Sequence, residues 1–404
     1  MSDQLPRILS AIVVVFACVF MASVMARKSG FYRGILGDSV DRELPLDGAR
    51  GLLALAVLAH HSDFAHQWLT TGRWESNSSL IVFFGQGAVL VFFMITGYLF
   101  WGKAMQAMGR VSSITLWMGR LRRLGPLYIF SALLVLLVSL PTVLASSWHD
   151  GAQYVIHLSS LGLLKWTNLN ELDSTTLNGG VQWSLWFEWR FYLVLPLVAW
   201  FAVERRVFIL CGLVIAWVLS TKSSFGTLGT GYWTAFLPGL LAAHLLQKES
   251  ARKRLTTHFA AISVLVWCIV VLVLTKCGGI RWSLVALVPV FFAVAAGNTF
   301  FGILSHPATR LLGTISYSVY LLHCIILMGV LKALKFAFDF NQLPLHYYSV
   351  LLIGIGAFVI VACSVSYRWI EHPALKWRIP IVGKLGSPAS IRPRPVSVPQ
   401  SQTV

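Results

Sequence analysis

Apolar runs of roughly 18 to 23 residues recur along this chain, the length a helix needs to cross the hydrocarbon core of a bilayer. Eleven such runs read as spans: 8–26, 51–69, 80–101, 124–144, 184–203, 207–220, 231–247, 257–275, 282–303, 314–335 and 347–369. A chain in lipid must pair its backbone polar groups within itself, so it spans as helices or as a closed barrel. The period-two alternation of a membrane barrel is missing. Only 12% of the 404 residues are charged and 57% are hydrophobic, against about 25% charged in soluble domains. The expected fold is all-α: a polytopic membrane helix bundle of about ten or eleven transmembrane helices. The first run allows two readings, because Val24-Met25-Ala26 is an acceptable cleavage site. Its length and the Arg27-Lys28 that follow favour an uncleaved anchor helix over a signal peptide.

The net charge of +17 invites a nucleic-acid partner, but the distribution of Lys and Arg argues for topology instead. Alternate loops hold Arg27, Lys28, Arg33 and Arg42; Lys103, Arg110, Arg120, Arg122 and Arg123; Arg205 and Arg206; Lys248, Arg252, Lys253 and Arg254; Arg310; and the tail from Arg368. The other set has only scattered charges such as Arg73, Lys165, Lys222, Lys276 and Arg281. The positive-inside rule places the first set in the cytoplasm, with the N-terminus outside and the C-terminus inside. The longest external loop, 145–183, holds His149, Asp150, His157, Glu171 and Asp173, with a surface helix expected over 152–165. Three regions are expected: an anchor helix and cytoplasmic loop over 1–43, a membrane domain over 44–377, and a disordered tail over 378–404. The six cysteines show neither CxxC nor metal spacing, so no metal site is expected.

Four segments carry polar residues inside apolar helices, where they are costly without pairing or function. In LDGARGLLALAVLAHH, Arg50 and His61 lie eleven residues apart, close to three whole turns, so they share a face about 16 Å apart along the axis. A snorkelling arginine and a hydrogen-bonded core histidine are the bland readings. His60 points about 100° away and competes with His61. In WMGRLRRLGPLY, Arg120 and Arg123 are helix neighbours, suited to a phosphate or carboxylate but equally to cytoplasmic topology. In QWSLWFEWRFYLVLPL, Glu188 and Arg190 open a helix, where the dipole alone favours a carboxylate. Trp183, Trp186 and Trp189 of that segment read as an interfacial belt before a sugar platform. In LLGTISYSVYLLHCIIL, Tyr317, Tyr320 and His323 read as polar glue between helices before catalysis.

At these places the sequence resembles the acyltransferase-3 family of membrane O-acyltransferases, which includes acetylases of O-antigen and other surface polysaccharides. The matching pieces are LDGARGLLALAVLAHH, GAVLVFFMITGYLF, RLRRLGPLY, QWSLWFEWRFYL, ISYSVYLLH and YRWIEHPALKW, in family order over about 44–377. The resemblance assigns the family's arginine and histidine to Arg50 and His61, its arginine pair to Arg120 and Arg123 before Pro126, and its WSLxxE glutamate to Glu188. Thr96 stands where serine is usual before Gly97, and the run at 8–26 is additional to the family's ten-span core.

What the resemblance implies is transfer of an acyl group, acetyl in the polysaccharide acetylases, from cytoplasmic acyl-CoA to a hydroxyl of an extracytoplasmic or lipid-linked glycan. Acyl-CoA is then a substrate, with no bound cofactor, and a bacterial inner membrane is the implied home. His61, Arg50 and Glu188 are the expected catalytic set. Arg120, Arg123, Trp183, Ser184, Tyr320 and His323 are the expected substrate-binding set. His61 would act as general base or carry the acyl group itself, with Glu188 orienting His61 or the acceptor near the external surface. A secondary transporter is the competing class, although no inverted repeat is visible. A succinyl or longer-acyl transferase would carry the same residues.

Overall fold

A computed structural model describes residues 4–37, 44–164, 175–203, 206–220, 230–335 and 344–377. Its helices are α1 (Gln4–Lys28), α2 (Gly30–Gly37), α3 (Leu44–Thr71), α4 (Ser79–Gln106), α5 (Ser113–Ala145) and α6 (Trp148–Ser159). They continue with α7 (Thr175–Asn178), α8 (Trp183–Val198), α9 (Arg206–Ser220), α10 (Leu237–Leu245), α11 (Glu249–Leu255) and α12 (His258–Thr275). The last are α13 (Gly279–Ala296), α14 (Pro307–Thr314), α15 (Ser316–Leu334), α16 (Leu345–Ser366) and α17 (His372–Lys376). Among the described residues there is no strand, and eight helices are long and apolar enough to cross a membrane. The chain is an all-α, multi-pass membrane protein.

Each of the eleven apolar runs is helical over most of its length, but three fall outside that set of eight. The segment 231–247 is a 3₁₀ stretch, Thr230–Phe236, running into α10, and α9 is short. The third, α3, has 28 residues and keeps its polar groups inside the bundle, where α1, α4, α14 and α15 pack around it. Boundaries shift where polar residues extend a helix. Ser112 caps α5 by accepting from the Thr115 amide, so the helix takes in Arg120, Arg122 and Arg123 before Pro126. The surface helix expected at 152–165 is α6, ending at Ser159, with Trp148 and Ile156 exposed. Arg42, Lys165, Glu171, Asp173, Arg205, Lys222 and the tail from 378 lie outside the described residues.

Small residues set how closely the central helices approach, as membrane helix packing favours. A Cβ on Gly48 would strike the backbone of Leu304 in the 3₁₀ turn Ile303–Ser305, and one on Gly313 of α14 would strike Asp47, so α3 meets α14 and the turn before it backbone to backbone. Gly239 of α10 abuts Met94 of α4 in the same way.

The first helix is a member of the bundle. It runs along α16, with Ser10 Oγ 2.5 Å from Ser349 Oγ and Val14, Cys18 and Ala22 buried. Near its start, Arg7 Nη1 donates to Asp63 Oδ1 of α3 at 2.9 Å. After α16 the chain enters a π-helical turn, Tyr367–Glu371. That turn buries Glu371 against the Ser318 hydroxyl, which donates to its carboxylate.

Candidate active site

A cavity of about 220 Å³ opens between α3, α4, α5, α8 and α15. Its polar lining is Arg50, Thr96, Lys103, Arg120, Arg123, Ser184, Glu188, Tyr192, Ser316, Tyr317 and Tyr320, against an apolar wall that includes Phe92, Phe93 and Phe100. Four cations therefore face one carboxylate. The Tyr192 hydroxyl donates to Glu188 Oε2 at 2.8 Å, and the Arg120 guanidinium lies 4.6 Å from the Phe100 ring centroid. Two buried atoms of wall residues, Arg120 Nε and Ser316 Oγ, have no hydrogen-bond partner within the protein. Buried polar atoms are usually paired, so this wall is chemically ready for a polar or anionic group.

Arg50, Leu99, Lys103 and Arg123 are shared with a second, larger cavity of about 850 Å³. Arg252, Gln106, Gln247 and Tyr367 add to its lining, and Asp47 is its one acid. Asp47 Oδ1 lies 4.0 Å from Arg50 Nη1. The two spaces together make a basic vestibule leading to a narrower, half-apolar chamber.

His61 lies three helical turns from Arg50 on α3, about 16 Å along the axis, and is not part of the cavity lining. Its Nδ1 is 3.0 Å from the Val57 carbonyl and 3.0 Å from His323 Nε2. The Trp74 ring stacks on it at 6.2 Å. Gly179 packs against its Nε2 with φ +68°, a backbone conformation open to glycine. His60 points elsewhere, its Nδ1 donating to the Ile81 carbonyl of α4 at 3.1 Å. The two histidines thus face different neighbours, His60 towards α4 and His61 towards α15.

Several placements differ from the sequence expectation. Glu188 lies with Arg50, Arg120 and Arg123, not beside His61, because α8 faces α4 and α5 along this stretch. His323 belongs to His61, while Tyr320, one turn earlier on α15, lines the cavity and shares a 2.7 Å hydrogen bond with Ser184. Trp183 is absent from the cavity wall and packs on Phe93 and Tyr232. Trp189 is buried with its indole N–H on Leu161 O, so this segment builds an aromatic core instead of a belt. Arg190 stacks on Trp186 at 3.5 Å, outside the cavity. Sequence reasoning missed Tyr192, although it lies one turn from Glu188, and Lys103, which read only as a loop charge. It also missed Glu371, inside a quoted motif.

Comparison with known proteins adds an independent line. The model of an acyltransferase domain family (Acyl_transf_3) matches residues 44–369. The O-acetyltransferase OatA of Staphylococcus aureus (strain NCTC 8325 / PS 47) is 26% identical over 372 residues, 83% of this chain and 58% of the relative. The putative peptidoglycan O-acetyltransferase YrhL of Bacillus subtilis (strain 168) is 25% identical over 370 residues, covering 81% and 54%. The chain thus spans little more than half the length of these curated relatives. No solved structure gives a significant match. With its motifs in order and the family match covering α3 through the π-helical turn, the chain belongs to the acyltransferase-3 family of membrane acyltransferases.

Proposed function

We propose that the protein is a membrane O-acyltransferase that takes an acetyl group from acetyl-CoA and passes it to a glycan hydroxyl on the opposite side of the bilayer. The observation that carries this reading is the layout of α3, with Arg50 in a basic cavity at one end and His61 about three turns away. Both relatives are named as O-acetyltransferases, which favours acetyl, and the second name favours an envelope glycan acceptor.

The chemistry follows from the residues. Arg50, Arg123 and Lys103 line both spaces and suit the phosphates of a CoA donor, for which planar guanidinium groups are well shaped. Arg120, with its unpaired Nε, and Ser316 face the chamber into which the thioester would extend. Glu188, held by Tyr192, offsets part of the cationic charge around it. His61 removes the proton of the acceptor hydroxyl as general base. The alkoxide oxygen forms a bond to the thioester carbonyl carbon, the carbon–sulfur bond breaks, and the proton returns to the leaving thiolate.

In this reading the loops rich in Lys and Arg, and the C-terminus, lie in the cytoplasm of a bacterial cell, and the N-terminus lies outside its inner membrane. The test is mass spectrometry of envelope glycans from cells with the gene, without it, and with His61→Ala. An acetyl mass difference lost in both the deletion and the variant supports the transferase. Unchanged acetylation in the variant rejects His61 as the base.

A further inference from the structure

His323 is fully buried, and its two ring nitrogens have different jobs. Nδ1 is 2.8 Å from the Val319 carbonyl, one turn earlier on α15. A carbonyl only accepts, so Nδ1 carries the hydrogen, and the lone pair of the neutral ring is at Nε2. That lone pair points at His61 Nδ1, 3.0 Å away. The other neighbour of His61 Nδ1, the Val57 carbonyl at 3.0 Å, is again an acceptor. With two acceptors around Nδ1 and the single Gly179 carbonyl on the other side of the ring, the neutral His61 keeps its hydrogen on Nδ1. The remaining lone pair of His61 then sits on Nε2.

On that side there is a glycine. A Cβ on Gly179 would stand 2.9 Å from His61 Nε2, so any side chain there would press on the nitrogen. Among the described residues no carboxylate is hydrogen-bonded to either ring. This differs from the Ser-His-Asp arrangement, in which a buried carboxylate holds the histidine. A neutral imidazole does the same orienting work without adding a charge to an apolar site, where an unpaired charge is costly.

We propose that His323 is the positioning residue for His61: its Nε2 fixes His61 as the Nδ1–H tautomer, aims Nε2 at the acceptor, and stabilises the imidazolium formed when the hydroxyl proton is taken. This rests on the reading of His61 as the general base. It replaces a substrate-binding role for His323, which lines neither of the two cavities described above. In the proton-transfer step His61 Nε2 gains the hydrogen, its Nδ1–H shortens onto His323, and the Nε2 proton passes to the CoA thiolate when the carbon–sulfur bond breaks.

Three variants separate positioning from packing. His323→Gln keeps an amide oxygen near the Nε2 position, His323→Asn reaches only the Nδ1 position, and His323→Leu removes both. Each is assayed in membrane vesicles by transfer of label from radiolabelled acetyl-CoA to envelope glycan, with acetyl-CoA titrated to give kcat and KM. Folding is followed by detergent-extracted yield and thermal midpoint. The expected result is a kcat loss of about a hundredfold in His323→Asn and His323→Leu, the low end for a general base, with KM for acetyl-CoA unchanged. His323→Gln should recover most of that loss. Equal losses in the Gln and Asn variants, or wild-type kcat in His323→Asn, overturn the proposal. His61→Ala run alongside tells the two readings apart: activity in that variant rejects the base itself, whereas its silence beside an active His323→Asn rejects only the positioning role.

Discussion

Glu188 shows how far a one-dimensional pattern reaches at the scale of a residue. Its position in the first turns of an apolar helix marks it as unusual, and the marking is sound. Which partner it meets depends on how α8 packs on α4 and α5, a long-range matter that helical period does not encode. Arg50 and His61 were legible because both lie on one helix, where spacing alone gives the geometry. His323 was visible as an intramembrane histidine, but its partner on α3 is 262 residues away. Two expectations follow at this scale. Arg123→Gln should raise KM for acetyl-CoA about tenfold or more, since a charge-assisted hydrogen bond is worth about 1.5–3 kcal/mol. Glu188→Gln keeps an acceptor for the Tyr192 hydroxyl while removing a negative charge from an anion site. Its KM for acetyl-CoA should therefore stay level or fall; a rise would show that the carboxylate holds the donor in place.

At the scale of elements, the close approach of α3 to α14 and to the turn before it depends on Gly313 and Gly48, whose neighbours are backbone atoms that have no rotamer to change. Gly48→Leu should lower stability by about 1–3 kcal/mol or more through overpacking, read as a reduced thermal midpoint in detergent. The Arg7–Asp63 bond ties α1 to α3 two residues from His61. Asp63→Ala leaves Arg7 unpaired at a largely buried position, with an expected loss of roughly 3 kcal/mol. The double variant Arg7→Met, Asp63→Ala should recover part of it, and additive losses would count against the pair. The apolar runs announced the long helices but not the short ones α2, α7, α11, α14 and α17, since lipid demands long apolar segments only of what spans it. They misplaced the start of α5 because its first turns are polar, and they gave no sign of the 3₁₀ entry to α10. They also could not say that α1 would pack as a full member of the bundle.

At the scale of the whole molecule, the account makes the enzyme two-sided. Cations gather around the vestibule at one end of α3, and the histidine pair lies toward the other. Loop charges suggested this polarity before any helix was placed, because basic loops stay on the cytoplasmic side. A cysteine tag after Trp377 should react with a membrane-impermeant maleimide only once the membrane is opened, and a tag before Gln4 should react in intact cells. The most direct test of the central claim uses inside-out and right-side-out vesicles supplied externally with radiolabelled acetyl-CoA. The account predicts label in the glycan fraction from inside-out vesicles alone, and none when His61 is replaced by Ala. Equal labelling from both orientations, or labelling that survives His61→Ala, would contradict it.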